Sequence, residues 1–166
     1  MVTKERFAKG LTLEQYLDQM SMNRDRFDRA FDGVTVQPTD EAMLRRLGPV
    51  RHALVITEDW CGTALSSVPV LARLVAGRPE IEVRVFLRDA NLDLMDQYLN
   101  RGIFKSIPVF VFFDRDMKEV ARFIERPPKI TEYMEQKQLE LRRQLRAQHG
   151  AEWQRSAAEE IRALLG

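Results

Sequence analysis

The single cysteine of the chain, Cys61, stands in the run Glu58-Asp59-Trp60-Cys61-Gly62-Thr63-Ala64 and is the strongest nucleophile the sequence offers. A cysteine reacts as its thiolate, so its surroundings decide its use. Periodicity places Cys61 directly after a strand and at the start of a helix. There, unpaired N–H groups and the helix dipole favour an anion. Glu58 and Asp59 push the other way if they approach, since like charge disfavours a thiolate. The net direction stays open. The hydroxyls of Thr63, Ser66 and Ser67 are placed to donate to a thiolate, although capping is the commoner use of such residues near a helix start. Glu58 and Asp59 read more simply as solvated loop acids than as general acids. A Cys–His dyad needs the base within hydrogen-bond reach. His52 opens the strand that leads to Cys61, on the order of 17 Å behind Thr57 at ~3.3 Å per residue, and nothing brings His149 of the tail to the thiol. One cysteine excludes an intramolecular disulfide, and two histidines cannot build the usual Cys/His zinc site in one subunit.

The elements that position the thiol follow from hydrophobic spacing. Leu13, Tyr16, Leu17 and Met20 share one helical face, with Thr12 as N-cap and Gln15 at the capping-box position. The pattern resumes at Phe27, Ala30 and Phe31 and breaks at Asp32-Gly33. A short helix after Asp40 carries Met43, Leu44 and Leu47 and ends at Gly48-Pro49. His52–Thr57 and Ile81–Leu87 are short, β-branched and apolar, as buried strands are. Ala64–Ala76 between them has Leu65, Val68, Leu71, Ala72 and Val75 at helical spacing, completing a βαβ unit. Asn91 caps a further helix with Leu92, Met95, Tyr98 and Leu99 inward. Val109–Phe113 and Glu119–Ile124, joined by a turn at Asp114-Arg115-Asp116, read as an antiparallel hairpin. Pro127-Pro128 stop the last strand. Two helices follow, around Thr131–Gln148 and Ala151–Leu165, separated by Gly150. Their apolar stripes are expected to pack back on the domain, the sharper alternative being a dimer contact or a cover over the site.

These residues resemble the thioredoxin family. Trp60-Cys61-Gly62 at a strand-to-helix junction is similar to the start of the family's Trp-Cys-Gly-Pro-Cys motif. Pro69, eight residues on, falls where the family's helix carries its kinking proline, and Ser106-Ile107-Pro108-Val109 matches the loop holding its cis-proline. The resemblance covers roughly residues 50–125. It implies an α/β fold, a three-layer α/β/α sandwich around a mixed four-stranded sheet, with extra N-terminal and C-terminal helices. Length favours a single domain over residues 1–166, and the helical patterns outside the resemblance add an extension at 1–49 and a second at 126–166 around the core at 50–125. The departures matter as much. The family's second cysteine falls on Ala64, the proline between the cysteines on Thr63, and the buried acid on Val55. Ala64 cannot attack a mixed disulfide and Val55 cannot relay a proton, which argues against general dithiol reductase activity. The sequence resembles an uncharacterised bacterial branch of thioredoxin-like proteins with one active-site cysteine.

Two functions stay open. In the leading one Cys61 is the nucleophile and forms mixed disulfides with a protein or a low-molecular-weight thiol. Trp60, Gly62, Thr63, Ile107 and Pro108 shape the binding groove, and an external thiol such as glutathione serves as co-substrate. The alternative is a non-catalytic module whose groove recognises an extended peptide or protein. Glutaredoxin-like proteins with one cysteine offer a precedent for monothiol chemistry, but their Cys-Gly-Phe-Ser differs here at Thr63 and Ala64. No resident cofactor or metal is expected. With 26 basic and 25 acidic residues the formal charge is +1, which gives no reason to expect a nucleic-acid or acidic-membrane partner. The first residues, MVTKERFAKG, lack a secretory signal, and no stretch approaches the ~18–20 apolar residues that cross a bilayer. The expectation is a soluble cytoplasmic protein, its oligomeric state open and a homodimer through the helical extensions one option.

Overall fold

The computed structural model describes residues 2–35 and 49–165. The helix expected after Asp40 lies outside them. Two compact units are present, Met1–Arg126 and Pro127–Gly166.

The first unit is built on a four-stranded sheet of order β2-β1-β3-β4, formed by β1 (His52–Thr57), β2 (Glu82–Leu87), β3 (Val109–Phe113) and β4 (Glu119–Ile124). Strand β1 pairs in parallel with β2 and antiparallel with β3, while β3 and β4 form the hairpin. All four strands fall where the sequence places them, β2 starting one residue later. The apolar run of β1 has its reason here. Paired on both sides, it is buried from Ala53 through Thr57. Strand β4 is the edge, mostly exposed and carrying Glu119 and Arg122, with a register shift at Phe112/Phe113. At the opposite edge Leu11 forms an antiparallel bridge to Val85, with hydrogen bonds of 2.9 and 2.7 Å. A Cβ on Gly10 would stand 2.7 Å from the Phe86 ring, so only glycine permits that approach.

Three helices precede the sheet: α1 (Lys4–Phe7), α2 (Leu13–Gln19) and α3 (Arg24–Gly33). The Thr12–Gln15 capping box of α2 has both its hydrogen bonds, 3.1 and 2.8 Å. Helix α1 escapes the periodicity because one turn shows too little of it, yet Thr3 caps it and Phe7 is buried. Phe7, Tyr16 and Phe27, one from each helix, join the core around Leu54, Ile56, Val85 and Val109.

Two expectations in the middle of the chain need correction. The helix expected over Ala64–Ala76 is two pieces, a 3₁₀ turn at Ala64–Ser66 and α4 (Val68–Val75). Pro69 sits in the first turn of α4, where its missing N–H costs no hydrogen bond, and not at a kink within a longer helix. The helix expected after Asn91 is the single turn α5 (Leu92–Met95). Asn91 stands at its N-cap, as expected, but makes no side-chain cap bond. Its side chain instead donates to the Leu87 carbonyl at 2.7 Å and accepts from Arg6 at 2.9 Å. Leu94, Met95 and Tyr98 are buried, but Leu92 is exposed and Leu99 only half-buried.

The second unit holds one helix, α6 (Pro128–Leu165), and not two. Gly150 lies inside it. A glycine in a helix interior costs about 1 kcal/mol, which a helix of 38 residues absorbs. Proline at its first position is tolerated for the same reason as Pro69. No described helix is long and apolar enough to cross a membrane.

Candidate thiol site

The segment after β1 folds back on itself, the Cys61 N–H donating to the Glu58 carbonyl at 3.2 Å. Cys61 is 8% exposed and belongs to the core together with Ala64 and Ile107. Its Sγ donates to the Ile107 carbonyl at 3.6 Å, so a contact across 46 residues joins the thiol to the Ile107-Pro108 loop. The Ile107–Pro108 peptide bond is cis, and both residues are buried.

The thiol does not stand at an α-helix N-terminus. Gly62 and Thr63 form a turn, the 3₁₀ turn follows, and α4 begins seven residues after Cys61. The helix-dipole argument therefore loses its basis. Neither Thr63 nor Ser67 makes a side-chain cap bond. Gly62 is exposed, with open space where a Cβ would stand, so its lack of a side chain answers no steric demand. Thr63 is half-buried. Trp60 is 43% exposed at the rim, with the Arg88 guanidinium 4.9 Å from its ring centroid.

Glu58 and Asp59 are not the solvated acids expected. Glu58 is buried and accepts from the Asp89 N–H at 2.8 Å. One Asp59 carboxylate oxygen accepts from Ser21 N, Ser21 Oγ and Met22 N at 2.9, 3.1 and 3.0 Å. Asn23 closes the same contact, donating to the Asp59 carbonyl at 2.8 Å from a left-handed backbone conformation (φ 61°). Burial pushes the Asp59 carboxyl up. The Met22 and Ser21 N–H donors, the Ser21 hydroxyl and the Trp60 N–H outweigh it and hold the group below its ordinary value. The thiol loop is thus pinned from two sides, by the α2–α3 connection through Asp59 and by the segment after β2 through Glu58. Sequence reasoning missed this because the partners lie far along the chain.

Tyr16 was legible only as a core residue. It is 2% exposed and its phenol faces Thr57, Asp59, Glu58 and Cys61. Burial is the main cause that pushes this phenol up to about 12, with the nearby acids adding to it. The Thr57 hydroxyl, fully buried beside it, finds no partner in good hydrogen-bond geometry. Val55 and Ala64 are buried packing residues. His52 lies at the far end of β1, edge-on to Phe7 with ring centroids 5.1 Å apart, and His149 lies on α6 beside Glu152. Among the described residues no cluster of His, Cys, Asp and Glu is arranged to hold a metal ion.

The geometry is a four-stranded mixed sheet with one buried thiol set beside a cis-proline loop. A thioredoxin family model matches residues 10–160, so the chain belongs to the thioredoxin family. No curated protein matches it. Among solved structures, a protein of unknown function from Pseudomonas aeruginosa is similar at 19% identity and a TM-score of 0.67, over 80% of this chain and 82% of that one. An HIV epitope-scaffold gives 19% identity and a TM-score of 0.66, over 79% and 81%. These two show the fold. A thioredoxin from Fasciola hepatica is 27% identical over 58% of this chain and 92% of its own, but its TM-score of 0.36 carries no weight.

Proposed function

We propose that Cys61 is a monothiol site for thiol–disulfide exchange. The observation that carries it is the Sγ–Ile107 carbonyl contact, which sets the chain's one thiol against the Ile107-Pro108 loop with Trp60 exposed at the rim. The Cys61 thiolate attacks one sulfur of a disulfide R–S–S–R′. The old S–S bond breaks, a Cys61–S–S–R bond forms, and R′–S⁻ leaves to take a proton from water. Ala64 supplies no second thiol, so an external thiolate R″–S⁻ attacks the mixed disulfide, forms R–S–S–R″ and returns the Cys61 thiolate. A low-molecular-weight thiol such as glutathione, or a protein thiol, fills that role. Trp60, Gly62, Thr63, Ile107 and Pro108 form the surface that meets the substrate.

Burial of Cys61 at 8% favours a second reading, a binding module that has kept the groove and lost the chemistry. Exposure of the native protein to oxidised glutathione, followed by intact-mass measurement, separates the two. One glutathione adduct, absent from Cys61→Ser and removed by reduced glutathione, is the result expected. A thiol that is modified only in urea would leave the binding module standing.

A further inference from the structure

Residues 101–106 lead into the Ile107-Pro108 loop, and all but the half-buried Ser106 are exposed. Arg101 and Gly102 both have left-handed backbones, with φ 53° and 74°. An exposed stretch gains little from burial, so hydrogen bonds decide where it sits. Arg88 and Asp96 hold Lys105. The other bonds gather on the half-buried Asn100. Its carbonyl accepts from the Ile103 and Phe104 N–H groups at 3.2 and 3.0 Å, and its own N–H donates to the Phe104 carbonyl at 2.8 Å. Its side-chain amide donates twice, to Ser106 Oγ at 3.3 Å and to Glu125 Oε2 at 2.7 Å.

Glu125 completes the arrangement from the far side. It follows β4 and is left-handed itself (φ 63°), a conformation that strains any residue with a Cβ. Its N–H donates to the Pro108 carbonyl at 2.8 Å. One carboxylate oxygen accepts from Asn100 and the other from Arg126 Nη2. Glycine would take this backbone conformation without strain, so what the glutamate adds is its carboxylate. Glu125 thus holds both flanks of the loop, Pro108 through its own N–H and Ser106 through Asn100. Ile107 lies between those flanks, and its carbonyl is the group that accepts from Cys61 Sγ at 3.6 Å.

We infer, resting on the exchange reading of Cys61, that Asn100 and Glu125 are positioning residues of the thiol site, which clamp the Ile107-Pro108 loop against Cys61. Both act through Ser106 and Pro108. A disulfide that lies on this loop must present one sulfur in line with Sγ, and a small displacement of the loop spoils that alignment.

Two rates measured on the native protein test this by intact mass. One is alkylation of Cys61 by iodoacetamide, the other formation of the glutathione adduct from oxidised glutathione. Both need an accessible thiolate, but only the second needs a disulfide lying on the loop. Their ratio therefore reads positioning apart from access. Asn100→Ala and Glu125→Gly should each lower the ratio of adduct formation to alkylation by about tenfold. Glu125→Gln should restore it to within about twofold of the parent, because its amide oxygen still accepts from Asn100. Glu125→Gly keeps the N–H to Pro108 and relieves the left-handed strain, so its thermal midpoint should stay close to the parent's. It supplies the answer if Asn100→Ala does not fold. A ratio unchanged in Glu125→Gly, or lowered as far in Glu125→Gln, would overturn the inference and leave the exchange reading standing. A parent that is alkylated but takes up no glutathione would overturn both.

Discussion

At the scale of single residues, Asp59 shows how the thiol loop is held. Three hydrogen bonds converge on one carboxylate oxygen, all near the surface, so water can replace part of what is lost. Asp59→Ala should therefore cost about 1–2 kcal/mol in urea unfolding. The pH dependence has a definite sign. A carboxyl held below its ordinary 3.8 in the folded state stabilises above that value. The contribution is lost as pH falls through the lower folded value. The Asp59→Ala curve should converge on the parent curve in acid, and a gap that stays constant down to the acid limit would refute the role. Tyr16 gives the opposite case. Its phenol rises from 10.0 to about 12 on folding, so the unfolded chain releases the proton first and stability falls as pH climbs from 10.0 toward 12. Tyr16→Phe should lose less stability than the parent over that alkaline window. Cys61 was legible from its type and its place after a strand, and Trp60 and Pro108 through the resemblance to the thioredoxin family. Tyr16 and the partners of Asp59 were not, since they reach the site through packing across some forty residues.

Secondary-structure elements show where local patterns mislead. The strands were readable almost to the residue because an apolar run bounded by polar turns has few other uses. Helix ends were harder. Periodicity ran unbroken from Ala64 to Ala76, yet Ser67 takes a non-helical conformation (φ −128°) and Pro69 starts a new helix at Val68. The consequence is chemical, because it removes the helix terminus from Cys61. Gly150 misled in the other direction. A lone glycine between two helical patterns suggests a break, but glycine inside a helix lowers stability without ending it. Gly150→Ala should raise the helicity of α6, since a Cβ there meets open space. The gain expected is about 1 kcal/mol, read from the 222 nm ellipticity on heating. Gly10 is the contrasting case, where a Cβ would sit 2.7 Å from Phe86 and 2.9 Å from Arg84. Gly10→Ala should destabilise by about 1–3 kcal/mol, as overpacking does. An unchanged urea midpoint would show that the Leu11–Val85 bridge yields at little cost.

For the whole molecule, the two units differ in what holds them together. The core, from Val2 to Phe113, lies entirely within Met1–Arg126, where sheet and helices share one buried cluster. No described residue of helix α6 is buried, and surface pairs such as Lys137–Glu140 at 2.8 Å lie along it. Such i,i+3 pairs contribute only about 0.2–0.5 kcal/mol each. Helix–coil melting without a core is broad and weakly cooperative, whereas a packed domain unfolds over a narrow range. The two transitions should therefore separate on heating. Ellipticity at 222 nm, to which 38 helical residues contribute, should decline gradually before the near-ultraviolet signal of the first unit collapses. Raising salt should lower the early phase slightly by screening the surface pairs and leave the late one in place. Coincident transitions at both wavelengths would mean that α6 unfolds with a core, its own in an assembly or that of the first unit. Dilution distinguishes those two, because only an assembly makes the midpoint depend on protein concentration.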